Sequence, residues 1–141
     1  MRLIVLDTNV ILSAGISPLG PPARIVADLV LGGMVQTVTS PRVAAEYREV
    51  VRRARFQRYG FPPLWLEFLI EESLRLPEPG LWPCICPDPK DSHLIALAYA
   101  AGAWLVTRNL KHFPQEIRKG VTVVSPADYL ARLLGDEGVK D

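Results

Sequence analysis

The sequence predicts an α/β domain built on a largely parallel sheet. Short runs of leucine and β-branched residues alternate with longer helical patterns, and proline and glycine mark the boundaries between them. The first run, Leu3-Ile4-Val5-Leu6, is apolar at every position, as befits a strand covered by helices on both faces. Right-handed crossovers then bring the carboxyl ends of such strands to one edge, where ligands gather.

In order along the chain, strands are expected at Leu3–Leu6, Val35–Thr39, Trp104–Thr107 and Val121–Val124. Pro21-Pro22 opens a helix that Gly32-Gly33 closes. Ser40-Pro41 is an N-cap followed by proline at the first helical position, predicting a helix to about Ala54. Pro62-Pro63 precedes an amphipathic segment to about Leu76, with Trp65, Leu66, Phe68 and Leu69 inward. Asp88-Pro89 opens a helix that Gly102 ends, and Ser125-Pro126 opens the last. Residues 1–134 are expected to form one domain and 135–141 a flexible tail.

Composition narrows the function. With 141 residues, 49% of them hydrophobic, the chain buries a real core and is not disordered. A net charge of +1 leaves any nucleic-acid role to local clustering of charge. The longest uncharged apolar stretch, Leu94 to Val106, is too short to span a bilayer, and Asp7 and Asn9 interrupt any leader-like apolar start. A soluble, cytoplasmic protein is expected. Cys84 and Cys86 are one residue apart, a spacing that strains a mutual disulfide and suits a reducing compartment.

Carboxylates collect at the predicted edge. Asp7 ends the first strand, where its charge is costly unless a cation, hydrogen bonds or water compensate. Glu46 lies in the helix leaving the second strand, about 7 Å along the axis from Pro41. Asp91 lies in the first turn of a helix that starts at the same edge, and Thr107-Arg108-Asn109 leaves the next strand there. Each acid also has an ordinary reading: Asp7 as a strand-ending turn residue, Glu46 as a solvated helix residue, Asp91 as a helix-start acid beside Asp88. Asp128 repeats that helix-start grammar where no chemistry is expected. Three acids in one pocket, however, repel one another unless a divalent cation joins them, and oxygen donors suit Mg²⁺ or Mn²⁺. A zinc site from Cys84, Cys86, His93 and His112 is the alternative cluster, and its spacing matches no familiar pattern. The chain carries no G-x-G-x-x-G and no G-x-x-x-x-G-K-[ST]. A phosphatase-type aspartate nucleophile would want a second acid where Asn9 stands.

Taken together, "VLDTNVILSA", "TVTSPRVAAEYREVVRRARFQRYG" and "CPDPKDSHLIALAYAAGAWLVTRNLKHF" resemble, in order and spacing, the PIN-domain nucleases, in the subgroup of toxins from toxin–antitoxin pairs. The resemblance runs from Arg2 to about Tyr129. It implies a three-layer α/β/α fold with four or five strands, and metal-binding acids at Asp7, Glu46 and Asp91. Many members carry a further aspartate where this chain has Asn109 or, three residues on, His112; Asn109 is therefore a weaker candidate ligand. The implied activity is Mg²⁺- or Mn²⁺-dependent hydrolysis of single-stranded RNA, with an antitoxin as partner and a homodimer as the assembly. Asn9 and Thr107 are expected to orient Asp7 and a metal-bound water, with ordinary turn and strand-end hydrogen bonding as the alternative. Arg52, Arg53, Arg55 and Arg58, interleaved with Phe56 and Tyr59, and also Arg108 and Lys111, are expected to grip RNA; the alternative is a solvated basic helix end with Phe56 and Tyr59 in the core. A PIN fold that binds RNA or a protein without cutting is the alternative.

Overall fold

The computed structural model describes residues 2–53 and 63–140. Among these residues five strands form one parallel sheet: β1 (Leu3–Leu6), β2 (Gln36–Thr39), β3 (Leu74–Arg75), β4 (Trp104–Val106) and β5 (Val123–Val124). Their order is β3-β2-β1-β4-β5. In register, Leu3 faces Gln36, Leu6 faces Val106, Val38 faces Leu74, and Leu105 faces Val123. The chain moves outward from β1 in both directions, so the order reverses between β1 and β4. In a parallel sheet that reversal leaves a crevice at the strands' carboxyl ends.

Six helices flank the sheet among the described residues: α1 (Thr8–Ile16), α2 (Pro21–Arg24, running on as a π-helical stretch Ile25–Val30), α3 (Pro41–Arg52), α4 (Pro63–Glu72), α5 (Ser92–Ala101) and α6 (Pro126–Lys140). The three-layer α/β/α architecture is the one the sequence predicts. None of these helices alone is long and apolar enough to cross a membrane. Ser40 caps α3 by accepting from the Val43 amide at 3.2 Å, with proline at the first position. α5 is the central helix: Leu94 through Ala98 are all buried, and it packs on β1, β2 and β4.

Several elements differ from expectation. α1 occupies residues 8–16, where the apolar run gave no helical signal, because its buried face is only Val10 and Ile11 and its β-branched residues mask the period. The segment expected as helix to Leu76 instead stops at Glu72 and yields strand β3, which pairs with β2. Phe68 is half exposed, and Leu66, Leu69 and Ile70 are the buried face of α4, with Trp65 part-buried. α5 is preceded by a 3₁₀ turn, Pro89–Asp91. α6 continues in helical conformation past Gly135 to Lys140.

Gly102 ends α5 in the left-handed region, φ +64°. Its amide bonds Tyr99 O at 3.2 Å and the Ala103 amide bonds Ala98 O at 2.9 Å, so the last carbonyls of the helix are satisfied before β4 begins. A side chain there would meet no atom within 4 Å, so its cost is conformational alone. Gly102→Ala is therefore expected to lower unfolding free energy by about 1 kcal/mol, with an unchanged denaturant slope in a urea titration.

Candidate metal centre

Asp7 is the residue after β1, and its amide continues the ladder to Val106 O at 2.9 Å. It is only 6% exposed. Its backbone is extended and caps α1, which turns the chain away and leaves the carboxylate at the crevice. Thr107, fully buried at the matching position after β4, donates its hydroxyl to Asp7 Oδ2 at 2.8 Å. Burial holds the Asp7 carboxyl above the usual carboxylate range. The Thr107 bond opposes that rise, the charge of Asp91 adds to it, and the nearby amides of Asn9 and Thr8 pull against it without making a capping bond.

Glu46 enters from α3. Its Oε2 lies 2.9 Å from His93 Nε2 on α5, and its Oε1 lies 3.4 Å from Arg42 Nε. His93 is buried, and its Nδ1 has no partner among the described residues. With a carboxylate as the acceptor, the Nε2–H tautomer is the one that satisfies the pair. Asp91 sits at the start of α5 with Oδ2 3.0 Å from His112 Nδ1. Its carboxyl is also raised, by burial first and by the charge of Asp88, with the His112 bond acting against the rise.

Electrostatics link these groups: the charge of Asp91 reaches Asp7, and the charges of Asp7 and Glu46 reach Tyr47. Tyr47, fully buried, donates its hydroxyl to Leu6 O and so ties α3 to β1 one residue before Asp7. Burial, followed by the two acids, pushes the Tyr47 hydroxyl far up, so it stays a neutral donor. Among the described residues, the acids, histidines and cysteines whose ligand atoms all lie within 4.8 Å of one another are Asp88, Asp91 and His112; Asp7 and Glu46 do not join that group. No cysteine joins that group: Cys86 is buried, Cys84 half-buried and both are free. Asp88 Oδ1 accepts from the Lys90 amide at 3.1 Å. Asp128, the comparison acid at the start of α6, pairs with Arg132 at 3.2 Å, a surface contact one helical turn away.

The remaining expectations resolve unevenly. Asn9 Oδ1 accepts from the Arg108 amide at 3.2 Å, so its side chain organises the segment leaving β4 rather than the Asp7 carboxylate. The Asn109 amide donates to Thr107 Oγ1 at 3.0 Å, and it is His112 rather than Asn109 that touches Asp91. Arg108 and Lys111 are exposed on that same segment. Arg52 and Arg53 are exposed at the end of α3, with Arg52 3.5 Å from Glu49, while Arg55 and Arg58 lie outside the described residues. A cavity of about 600 Å³ lies elsewhere, around Arg2, Met34, Phe68 and Glu72, and its lining includes none of Asp7, Glu46 and Asp91. Sequence reasoning missed Tyr47 and the pairing of His93 with Glu46. Tyr47 was readable as part of the buried stripe Val43, Ala44, Tyr47, Val50, Val51; His93 carried no such signal.

The donor set fits a hard divalent cation. The buried Asp7 carboxyl and the part-buried Asp91 carboxyl both resist ionising and would be relieved by a positive charge, and hydrogen-bond donors already orient Asp7, Glu46 and Asp91. A parallel sheet with acids gathered at its switch point defines a class of α/β proteins with a cation-ready crevice. The sequence profile of the PIN domain matches residues 3–111, and the chain belongs to the PIN-domain family. No protein of curated function matches it. Its fold is similar to a chain of the crystal structure of VapBC2 from Rickettsia felis bound to a DNA fragment from their promoter, with a TM-score of 0.60 and 16% identity over 87% of this chain and 98% of that one.

The raised Asp7 carboxyl has a consequence for stability without metal. The folded state binds this proton more tightly than the unfolded state does, so the ionised group opposes folding above its folded pKa, and the penalty fades as pH falls through that value. Asp7→Asn is expected to raise the melting temperature in EDTA at neutral pH, with the gain shrinking as the pH is lowered. Thermal scans across pH check both parts.

Proposed function

We propose that this protein is a metal-dependent endoribonuclease that hydrolyses phosphodiester bonds of single-stranded RNA, acting as the toxin of a cytoplasmic toxin–antitoxin pair. The observation that carries the proposal is the buried Asp7 carboxylate at the carboxyl end of β1, which the charge of Asp91 reaches, together with Glu46 held against His93 of α5. Asp7, Glu46 and Asp91 would hold Mg²⁺ or Mn²⁺, with Asn109 a further candidate ligand. When bound, the cation supplies Lewis-acid polarisation of the phosphate and a more acidic water for in-line attack. Thr107 fixes the Asp7 oxygens, and His112 fixes those of Asp91. Arg108 and Lys111, on the segment leaving β4, would neutralise substrate phosphates, and Arg52, Arg53, Arg55 and Arg58, from the end of α3 onward in sequence, would extend the grip along the RNA. Family membership supports the nuclease class, and the likeness to a VapBC2 chain supports an antitoxin partner; a homodimer is the assembly proposed with it.

A binding-only PIN module is the second reading, favoured by Asn109 standing where many members carry an acid. The two part on cation-dependent turnover. Asp7→Asn, Glu46→Gln and Asp91→Asn are each expected to reduce Mn²⁺-dependent cleavage of single-stranded RNA by orders of magnitude while remaining folded by circular dichroism. A wild type without turnover at any Mn²⁺ concentration would favour the binding module. Undiminished cleavage in all three variants would remove these acids from the reaction.

A further inference from the structure

Beside the acids, the same edge opens into a second cleft of about 350 Å³, lined by Ser13, Ser17, Pro21, Arg108, Ser125 and Ala127 among others. Arg108 connects the two places. It follows Thr107, the donor to Asp7, and Asn9 fixes its amide at 3.2 Å. Its guanidinium donates to Ser13 Oγ. Among the described residues no carboxylate pairs with it, and the cleft lining contains none. The hydroxyls are similarly biased. Ser13 Oγ accepts from Arg108 and Ser125 Oγ accepts from the Asp128 amide at 3.1 Å, which leaves each hydroxyl hydrogen to donate. The cleft therefore offers one uncompensated cation, several donors and an apolar wall of proline and alanine. A ligand that is anionic, rich in acceptors and partly flat is complementary to it. The larger cavity at Arg2 has Glu72 in its own lining and lacks this imbalance.

We infer that this cleft is a nucleotide subsite, receiving the nucleotide next to the scissile phosphate of single-stranded RNA. Arg108 takes that nucleotide's phosphate, the serine hydroxyls meet acceptors on its base, and Pro21 and Ala127 support the ring. The subsite rests on the ribonuclease reading, so its test separates binding from cleavage. Binding is read in EDTA, as fluorescence anisotropy of a labelled 2′-O-methyl pentanucleotide on the full chain. Arg108→Gln is expected to weaken binding about 10-fold. It should also flatten the logarithmic salt dependence by about 0.7. Ala127→Trp fills the cleft without changing charge; it should weaken binding and leave the salt slope alone. Uridine 5′-monophosphate should shift the Ser17 and Arg108 amide resonances of the wild type, and not those of Ala127→Trp. Wild-type affinity in both variants overturns the subsite, as does a cleft that takes an acidic peptide and refuses the oligonucleotide. Wild type that binds as expected in EDTA yet never cleaves with Mn²⁺ supports the subsite and contradicts the ribonuclease reading alone.

Discussion

The site depends on one costly placement: a carboxylate, Asp7, almost fully buried at the end of the sheet's central strand. Water cannot solvate it there, so the protein supplies what it can, a hydroxyl from Thr107 and nearby backbone amides. These donors do not offset the burial, because the carboxyl remains raised, and Asp91 makes matters worse. A fold that tolerates this arrangement retains a charge deficit at its switch point. A divalent cation is the simplest group that removes it, and the same deficit that weakens the empty fold would strengthen the site's hold on metal.

The surrounding structure keeps that deficit in place. Parallel pairing of β1 with β4 brings Asp7 and Thr107 level, since Leu6 faces Val106 one residue earlier. Tyr47 fastens α3 to Leu6, which sets where Glu46, the residue before it, can reach. His93 on α5 then holds the Glu46 carboxylate, and His112 holds Asp91. Each acid is thus restrained by a donor from a different element, and the restraints act before any ligand arrives.

Much of this was legible in the sequence, for identifiable reasons. The unbroken apolar run of β1, the Ser-Pro helix start before α3 and the Gly102 stop after α5 are local signals, and each lies where it was expected. The edge shared by Asp7, Glu46, Asp91 and Thr107 followed from parallel topology alone. Other features had no local signal. α1 buries only two residues, β3 is two residues long and owes its form to pairing with β2, and Phe68 lies on the exposed side of a helix whose apolar residues run nearly all round. His93–Glu46 and Asn9–Arg108 join residues 47 and 99 positions apart, and only the folded chain brings them into contact.

Calorimetric titration of Mn²⁺ into the metal-free protein decides whether these acids hold a cation. A saturable site is expected in the wild type, lost in Asp7→Asn while that variant stays folded. No binding to the wild type, or equal binding to the two proteins, would rule out Asp7 as a ligand.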